Sequence, residues 1–268
     1  MPHATARADA ARAVIFSPLE GAGRAELVEQ RLTDAIVSGV LRDGERLPSE
    51  AELAKLLGVA LVTAREALLA LRHKGLVRTR RGRDGGSFVT SDRDTSARLL
   101  DQRLLAASRI ALRDLSLHVA AIAGMAAEVA ADRASDDDVQ SLVDIDARAD
   151  LATPGGARRA VGRFGLEVAA VSQSPRLVHE ELRLQAETGA LLWMCLREQE
   201  YRDRSREARL EVIDAIRRAD GTSARRATVA HVTSAVEWLI DEKARIEAAS
   251  VIDDAAPTRP HPSEGSRT

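Results

Sequence analysis

Two runs of sequence decide the fold: Ser49-Glu50-Ala51-Glu52-Leu53-Ala54-Lys55-Leu56-Leu57-Gly58 and Thr63-Ala64-Arg65-Glu66-Ala67-Leu68-Leu69-Ala70-Leu71. Ser49 and Glu52 have the spacing of a capping box, in which each side chain accepts a hydrogen bond from the other residue's amide. Gly58 can end this helix, because glycine tolerates a left-handed backbone. We therefore predict one helix that ends at Gly58 and a second from 62 to 73. The inward-facing residues are predicted to be Leu53, Leu56, Leu57, Ala64, Ala67, Leu68 and Leu71.

The flanking residues extend this pattern. Apolar residues recur at helical spacing between 24 and 39, which predicts a helix before the first run. After the second run, two β-like segments at 76–79 and 87–90 are joined by a glycine-rich hairpin. The order of these elements predicts a winged helix-turn-helix.

The charge of the hairpin points to DNA. Between Arg72 and Arg83 there are six basic residues and no acidic one. In a winged helix-turn-helix the second helix enters the major groove and the wing lies on the flanking backbone. The alternative is a solvated basic face on an ordinary hairpin, but the order of the elements favours DNA binding.

The composition restricts the fold and the location of the protein. The 268 residues are 45% hydrophobic and only 2% aromatic, so the cores must be aliphatic, which favours helix. The net charge of −2 says nothing about partners by itself. Cys195 is the only cysteine, which excludes an internal disulfide and fits a reducing compartment. We see no apolar run of the ~20 residues that a membrane span needs, and we predict a cytoplasmic protein without membrane contact.

The predicted fold class is mainly α. An N-terminal winged helix-turn-helix with a small β-hairpin wing precedes an all-α bundle of six to seven helices. The predicted domains are a disordered arm at 1–22, a DNA-binding domain at 23–92, an effector-binding and dimerisation domain at 93–250, and a disordered tail at 251–268.

The head resembles the winged-helix domain of GntR-type bacterial transcription regulators. The resemblance rests on Gly44-Glu45-Arg46-Leu47-Pro48-Ser49-Glu50, on Arg65-Glu66-Ala67-Leu68 and on the wing Arg80-Arg81-Gly82-Arg83. The helical remainder is similar to the FadR-type effector domain. This resemblance implies a homodimer that binds a palindromic double-stranded DNA operator, and we expect a repressor modulated by a small molecule. The expected DNA-binding residues are Arg46, Ser49, Thr63, Arg65, Arg78, Arg80, Arg81, Gly82 and Arg83.

The recognition helix departs from the family pattern. Ala51 replaces an arginine, and Ala60-Leu61-Val62 replaces a Ser-Arg-Thr start. The helix therefore lacks its serine cap, a loss that typically costs ~1 kcal/mol. Leu61 and Val62 could contact thymine methyl groups, or recognition could be weak and depend on Arg65 and the wing. We expect an interface made mainly with phosphates.

The effector domain departs further. Many FadR-type domains bind a divalent metal through an aspartate and three histidines, and the resemblance maps these ligands to Val161, Gly165, Arg209 and His231. Only His231 is a ligand type, so we predict no metal and no other cofactor. Arg209 could instead hold the carboxylate of an effector, and Gly165 would leave room for a bulkier ligand. The expected effector-binding residues are Gly165, Arg209 and His231. Alternatively, Arg209 points to solvent and His231 is a core residue.

The alternatives to a ligand-regulated repressor are an enzyme and a constitutive DNA-binding dimer. The sequence has no phosphate-binding loop and no Ser/His/Asp constellation, so we predict no catalytic residues and no enzyme. The second alternative is a constitutive DNA-binding dimer whose effector pocket has lost ligand and metal binding.

Overall fold

A computed structural model describes residues 24–37, 39–82, 85–90 and 92–254. Its N-terminal head contains three helices and a two-stranded antiparallel hairpin, which confirms the predicted winged helix. The elements of the head are α1 (Arg24–Val37), α2 (Glu50–Leu57), α3 (Leu61–His73), β1 (Val77–Arg80) and β2 (Gly86–Val89).

The predicted capping box is present at the start of α2. The Ser49 hydroxyl accepts from the Glu52 amide at 3.3 Å, and the Glu52 carboxylate accepts from the Ser49 amide at 2.8 Å. Gly58 ends the helix with a φ of 64°. Every predicted inward-facing residue is buried except Leu56, which is 43% exposed. That prediction was wrong because α2 packs on α3 through a narrow stripe, and Leu56 lies beside it.

The wing has a third, shorter partner that the sequence did not reveal. The register pairs Val77 with Val89 and Arg80 with Gly86, one residue away from the predicted strand ends. The segment before α2 also bonds to β2, because the Leu47 amide donates to the Ser87 carbonyl oxygen at 2.9 Å. The wing is therefore fixed on both sides of β2.

The C-terminal body is built only of helices in the residues described. The last helix extends to Asp254, beyond the predicted domain boundary at 250. The predicted arm at 1–22 and the rest of the predicted tail lie outside the described residues. The body contains α4 (Arg93–Ala106), α5 (Arg109–Arg133), α6 (Asp136–Ala147), α7 (Pro154–Val171), α8 (Pro175–Leu192), α9 (Gln199–Arg217) and α10 (Gly221–Asp254).

Helix α5 is the centre of the body. It packs along α10, and at Gly124 a Cβ atom would lie 2.9 Å from a methyl carbon of Val229. Within the part of the chain that the structure describes, α5 is also the one helix long and apolar enough to cross a membrane by length and composition alone. Its apolar stretch is not a continuous run of ~20 residues, because Arg113, Asp114 and Glu128 interrupt it. Ala126, Ala127 and Ala130 are instead buried in the protein core.

A short 3-10 helix, Trp193–Arg197, joins α8 to α9. Its residues Trp193, Met194, Cys195 and Leu196 are all buried. Burial raises the pKa of the free Cys195 thiol to about 12. This thiol is therefore a packed, protonated core group.

Arginines of the body bind the C-terminal half of α1 in the head. Arg103 pairs with the buried carboxylate of Asp34 and also donates to the Glu187 carbonyl oxygen at 2.7 Å. Arg158 donates to the Val37 carbonyl oxygen at 2.6 Å, where the last carbonyls of α1 lack helical partners. The core of the head is continuous with that of the body. The two domains are thus joined by both apolar packing and directed hydrogen bonds.

Candidate DNA-binding surface and effector cavity

The N-terminus of the recognition helix α3 is apolar and exposed. Leu61 and Val62 are 47% and 58% exposed, while Thr63 is half-buried. Ala60 occupies the N-cap position with an extended backbone and makes no side-chain capping bond. The missing cap expected from the sequence is therefore confirmed.

Arg65 is the exposed cation of this helix and is held in place by α2. Its Nε donates to the Glu50 carboxylate at 2.9 Å, and its side chain remains 62% exposed. Arg72 approaches the same carboxylate at 3.9 Å. Glu50 therefore fixes the direction of Arg65 without covering it.

The wing presents its cations on the surface. Arg78, Arg80 and Arg81 are all exposed, and the Arg80 guanidinium lies 4.6 Å from the centroid of the Phe88 ring. Gly82 has a φ of 110°, a backbone that favours glycine. Arg83, which the sequence also marked, lies outside the described residues.

Two other predicted contact residues have structural partners in the head. Arg46 donates to the Gly85 carbonyl oxygen at 2.8 Å, and a Cβ at Gly86 would lie 2.9 Å from Arg46 Nε. Arg46 therefore braces the wing from the segment before α2. Ser49 is engaged in the capping box with Glu52, although the side chains of both residues are exposed.

All four positions mapped to the family's metal site line one cavity in the body. Its volume is about 70 Å³, and its walls come from α5, α7, α8, α9, α10 and Trp193. The three expected effector-binding residues are thus brought together, although no ligand is present to test their role. Its lining includes Val119, Ala123, Val161, Phe164, Gly165, Glu181, Gln185, Thr188, Trp193, Arg209, Thr228 and His231.

Arg209 is buried, which overturns the alternative that it points to solvent. Its side chain is 2% exposed because α6 supplies a buried carboxylate, and its Nε donates to Asp146 at 2.9 Å. Its Nη1 donates to the Ser205 carbonyl oxygen and hydroxyl. Its Nη2 lies 2.9 Å from Asp146 but at an angle that leaves it without a hydrogen bond among the described residues.

His231 is half-buried and faces the same cavity. Its ring lies 4.7 Å, centroid to centroid, from that of Trp193. Burial, aided by the nearby charge of Arg209, lowers the pKa of His231 to about 4. The imidazole is therefore neutral near pH 7.

Glu181 fills the space that Gly165 was expected to leave for a ligand. A Cβ at Gly165 would lie 2.6 Å from a carboxylate oxygen of Glu181. The expectation of room for a bulkier ligand was wrong because this carboxyl, from α8, lies directly over the glycine. Glu181 is 8% exposed and accepts a hydrogen bond from Gln185 at 2.7 Å.

The cavity does not fit the metal that the family resemblance implies. Valine and glycine at 161 and 165 offer no donor atom, and the Arg209 guanidinium would repel a cation. Among the residues described, no group of three or more histidine, cysteine or carboxylate side chains is placed to hold a metal ion.

Sequence reasoning missed Asp146 and Glu181. Asp146 lies 63 residues before Arg209, so nothing local linked the two. Glu181 did leave a signal, because it lies on the same face of α8 as the buried Leu184 and the cavity-lining Thr188. A carboxylate on an inward-facing stripe indicates a buried site.

Together, an exposed basic winged helix and a helical body with an internal cavity define a DNA-binding transcription regulator. Residues 24–89 match the model of bacterial regulatory proteins of the gntR family, and residues 114–234 match the FCD domain. RmpR of Mycobacterium gastri, named as an HTH-type transcriptional regulator, is 36% identical over 85% of each chain. The chain therefore belongs to the gntR family and carries an FCD effector domain.

Two further relatives match shorter stretches of this chain. The Glc operon transcriptional activator of Escherichia coli K12 is 41% identical over 59 residues, covering 22% of this chain and 23% of that protein. The histidine utilization repressor of Klebsiella aerogenes is 38% identical over 86 residues, covering 32% and 34%.

Proposed function

We propose that the protein is a cytoplasmic repressor that binds a palindromic operator as a homodimer and senses a small carboxylate in the FCD cavity. The proposed ligand sensing is supported by Arg209. Its buried guanidinium lines the cavity and has an Nη2 without a hydrogen-bond acceptor. A buried donor without an acceptor is costly, and a ligand carboxylate would satisfy it.

The operator contacts follow from the head. We propose that Arg78, Arg80 and Arg81 on the wing bind phosphates and that Arg65 on α3 contacts a base edge, because these side chains are exposed. Leu61 offers an apolar contact that suits the methyl group of thymine. A dimer would place two such heads on two half-sites, which explains a palindromic operator. No catalytic role is proposed for any residue.

The contacts between the domains suggest how the cavity would influence the head. Val161 lines the cavity, and Arg158, one turn earlier on α7, binds the end of α1. Thr188 also lines it, and the adjacent Glu187 carbonyl oxygen accepts from Arg103, which pairs with Asp34. A ligand that shifts α7 or α8 would therefore move α1.

The test is thermal melting and operator binding of the full chain against a panel of small carboxylates. We expect at least one to raise the melting temperature and change DNA affinity. The variant Arg209→Lys keeps the charge beside Asp146 but loses the planar fork, so the shift should disappear. Arg206→Lys is the matched control, because Arg206 contacts the same Asp146 at 3.3 Å but does not line the cavity.

The second candidate is a constitutive DNA-binding dimer. The observation in its favour is that Asp146 already neutralises Arg209 in a cavity of only about 70 Å³. Unchanged melting and unchanged operator affinity across the panel and with cell extract would establish this candidate and reject ligand sensing. A monomer in sedimentation experiments with the operator would reject the dimer in both proposals.

A further inference from the structure

Glu181 is a buried acid in the cavity without a cationic partner. Among the described residues, no lysine, arginine or histidine nitrogen lies within ion-pair distance of it, and its one side-chain hydrogen bond comes from Gln185. Gln185 in turn donates to the Gly162 carbonyl oxygen at 2.8 Å, which holds the amide in place. Burial raises the pKa of the Glu181 carboxyl. Such a group either stays protonated or gains a cation from a ligand.

The buried charges around the cavity limit the charge of a ligand. Arg209 and Asp146 form a buried pair without net charge, and Arg206, which also contacts Asp146, is about half exposed and lies outside the cavity. Glu181 carries one negative charge when it is ionised, and His231 is neutral. A ligand with a carboxylate alone would add a second negative charge near Glu181. A ligand with one charge of each sign adds no net charge to the cavity.

We propose that the cavity selects a small zwitterion, whose carboxylate binds Arg209 and whose ammonium group binds Glu181. This inference rests on the proposed sensing function. It narrows the ligand from any carboxylate to one that also carries an ammonium group, as an α-amino acid does. Arg209 supplies Nη2, which lies near Asp146 at 2.9 Å without a hydrogen bond, and Glu181 supplies a carboxylate oxygen. Each charged group of the ligand then has a partner of opposite sign in a site shielded from water.

The remaining walls describe the uncharged part of the ligand. Val119, Ala123, Val161 and Phe164 line the cavity with carbon, so they favour a short aliphatic side chain. A cavity of about 70 Å³ favours small ligands over large ones. The structure therefore points to small aliphatic amino acids or close analogues.

The experiment compares matched probes on the full-length protein by isothermal titration calorimetry. One set is L-alanine, its deaminated form propionate and its decarboxylated form ethylamine, and equivalent sets cover two to five carbons. We expect one amino acid to bind roughly tenfold to a hundredfold more tightly than its matched acid and amine, because each charged contact contributes that much. Propionate-type or ethylamine-type probes that bind as tightly as the amino acid would overturn the zwitterion.

Two variants localise the ammonium contact. Glu181→Gln keeps the shape of the side chain, and circular dichroism checks its fold; it should weaken the amino acid roughly tenfold to a hundredfold and leave the matched acid unchanged. Glu180→Gln is the matched control, because Glu180 pairs with Arg183 outside the cavity. If acids bind and Glu181→Gln changes nothing, the inference fails while carboxylate sensing stands. If no acid and no amino acid binds, both fail.

Discussion

The methyl group of Ala60 leaves the first amides of α3 without a side-chain acceptor. The backbone at Ala60 is already extended, as an N-cap requires, so a serine there needs no rearrangement. We predict that Ala60→Ser stabilises the head by ~1 kcal/mol, measured by urea unfolding. Ala51→Ser, on the exposed surface of α2, is the control and should be slightly destabilising. Equal effects of the two changes would show that α3 does not need this cap.

His231 gives the protein a defined sensitivity to acid. Its pKa is lowered from 6.5 to about 4 in the folded protein. Between pH 6.5 and pH 4, His231 is therefore protonated in the unfolded chain but neutral in the folded one. This contribution to stability is therefore complete at neutral pH and is lost as the pH falls from 6.5 towards 4. We predict that wild type loses up to about 2 kcal/mol more than His231→Gln between pH 7 and pH 5. Urea unfolding at both pH values measures this.

The control for His231 is His179→Gln on the exposed face of α8. That variant should lose as much stability as wild type between the two pH values. If His231→Gln behaves in the same way, the folded protein accepts the proton and the cavity is more polar than its walls indicate.

Single residues were predictable where a local pattern determines them. Leu53 and Leu71 follow helical periodicity, and Ser49 with Glu52 forms a contact within one turn. The predicted burial of Leu56 was wrong because helical periodicity identifies the buried face of a helix but not how much of that face its partner covers. The environment of Arg209 could not be predicted, because its partner is distant in the chain.

The wing presents three exposed arginines, Arg78, Arg80 and Arg81. Each wing cation that binds a phosphate releases counterions, and its removal lowers the log–log salt slope by about 0.9. We predict this decrease for Arg80→Gln and again for Arg81→Gln, with similar losses on operator and unrelated DNA. Fluorescence anisotropy over a range of salt concentrations measures it.

The control for the wing is Arg148→Gln, an exposed cation of the body that pairs with Asp144. Its salt slope should equal that of wild type. A loss of affinity in Arg80→Gln that is confined to the operator would contradict phosphate binding and indicate that the wing reads bases.

Most element boundaries were predictable because capping residues and glycines mark them. Ser49, Gly58 and Pro175 begin or end helices where their chemistry requires it. The pairing of Leu47 with β2 was not predictable, since it depends on a loop that approaches the wing only in the folded head. The end of α10 at Asp254 lies beyond the predicted domain boundary at 250.

Two arginines of the body, Arg103 and Arg158, contact the head beside the apolar core that the two domains share. Arg103→Met leaves the Asp34 carboxylate buried without its cation, which costs roughly 1–3 kcal/mol. We predict a lower melting temperature of the head and separate unfolding transitions for the two domains by scanning calorimetry. Ligands that stabilise the body should then no longer change operator affinity.

Arg98→Met is the matched control for Arg103→Met. Arg98 is exposed on the same helix, and among the described residues its side-chain hydrogen bond goes to Thr95. A single transition in both variants would show that apolar packing alone couples the domains. The two-domain architecture was predictable from composition and motif order, but this junction was not, because its contacts join residues that are far apart in the chain.

The alkylation rate of the buried Cys195 thiol reports how often the body opens. It is the only cysteine, and it lies two residues after the cavity-lining Trp193. With a pKa of about 12 it reacts with alkylating reagents only when the 3-10 segment is exposed. The rate at which Cys195 is alkylated in the unmodified protein therefore measures how often this segment opens. A compound that occupies the cavity should lower this rate.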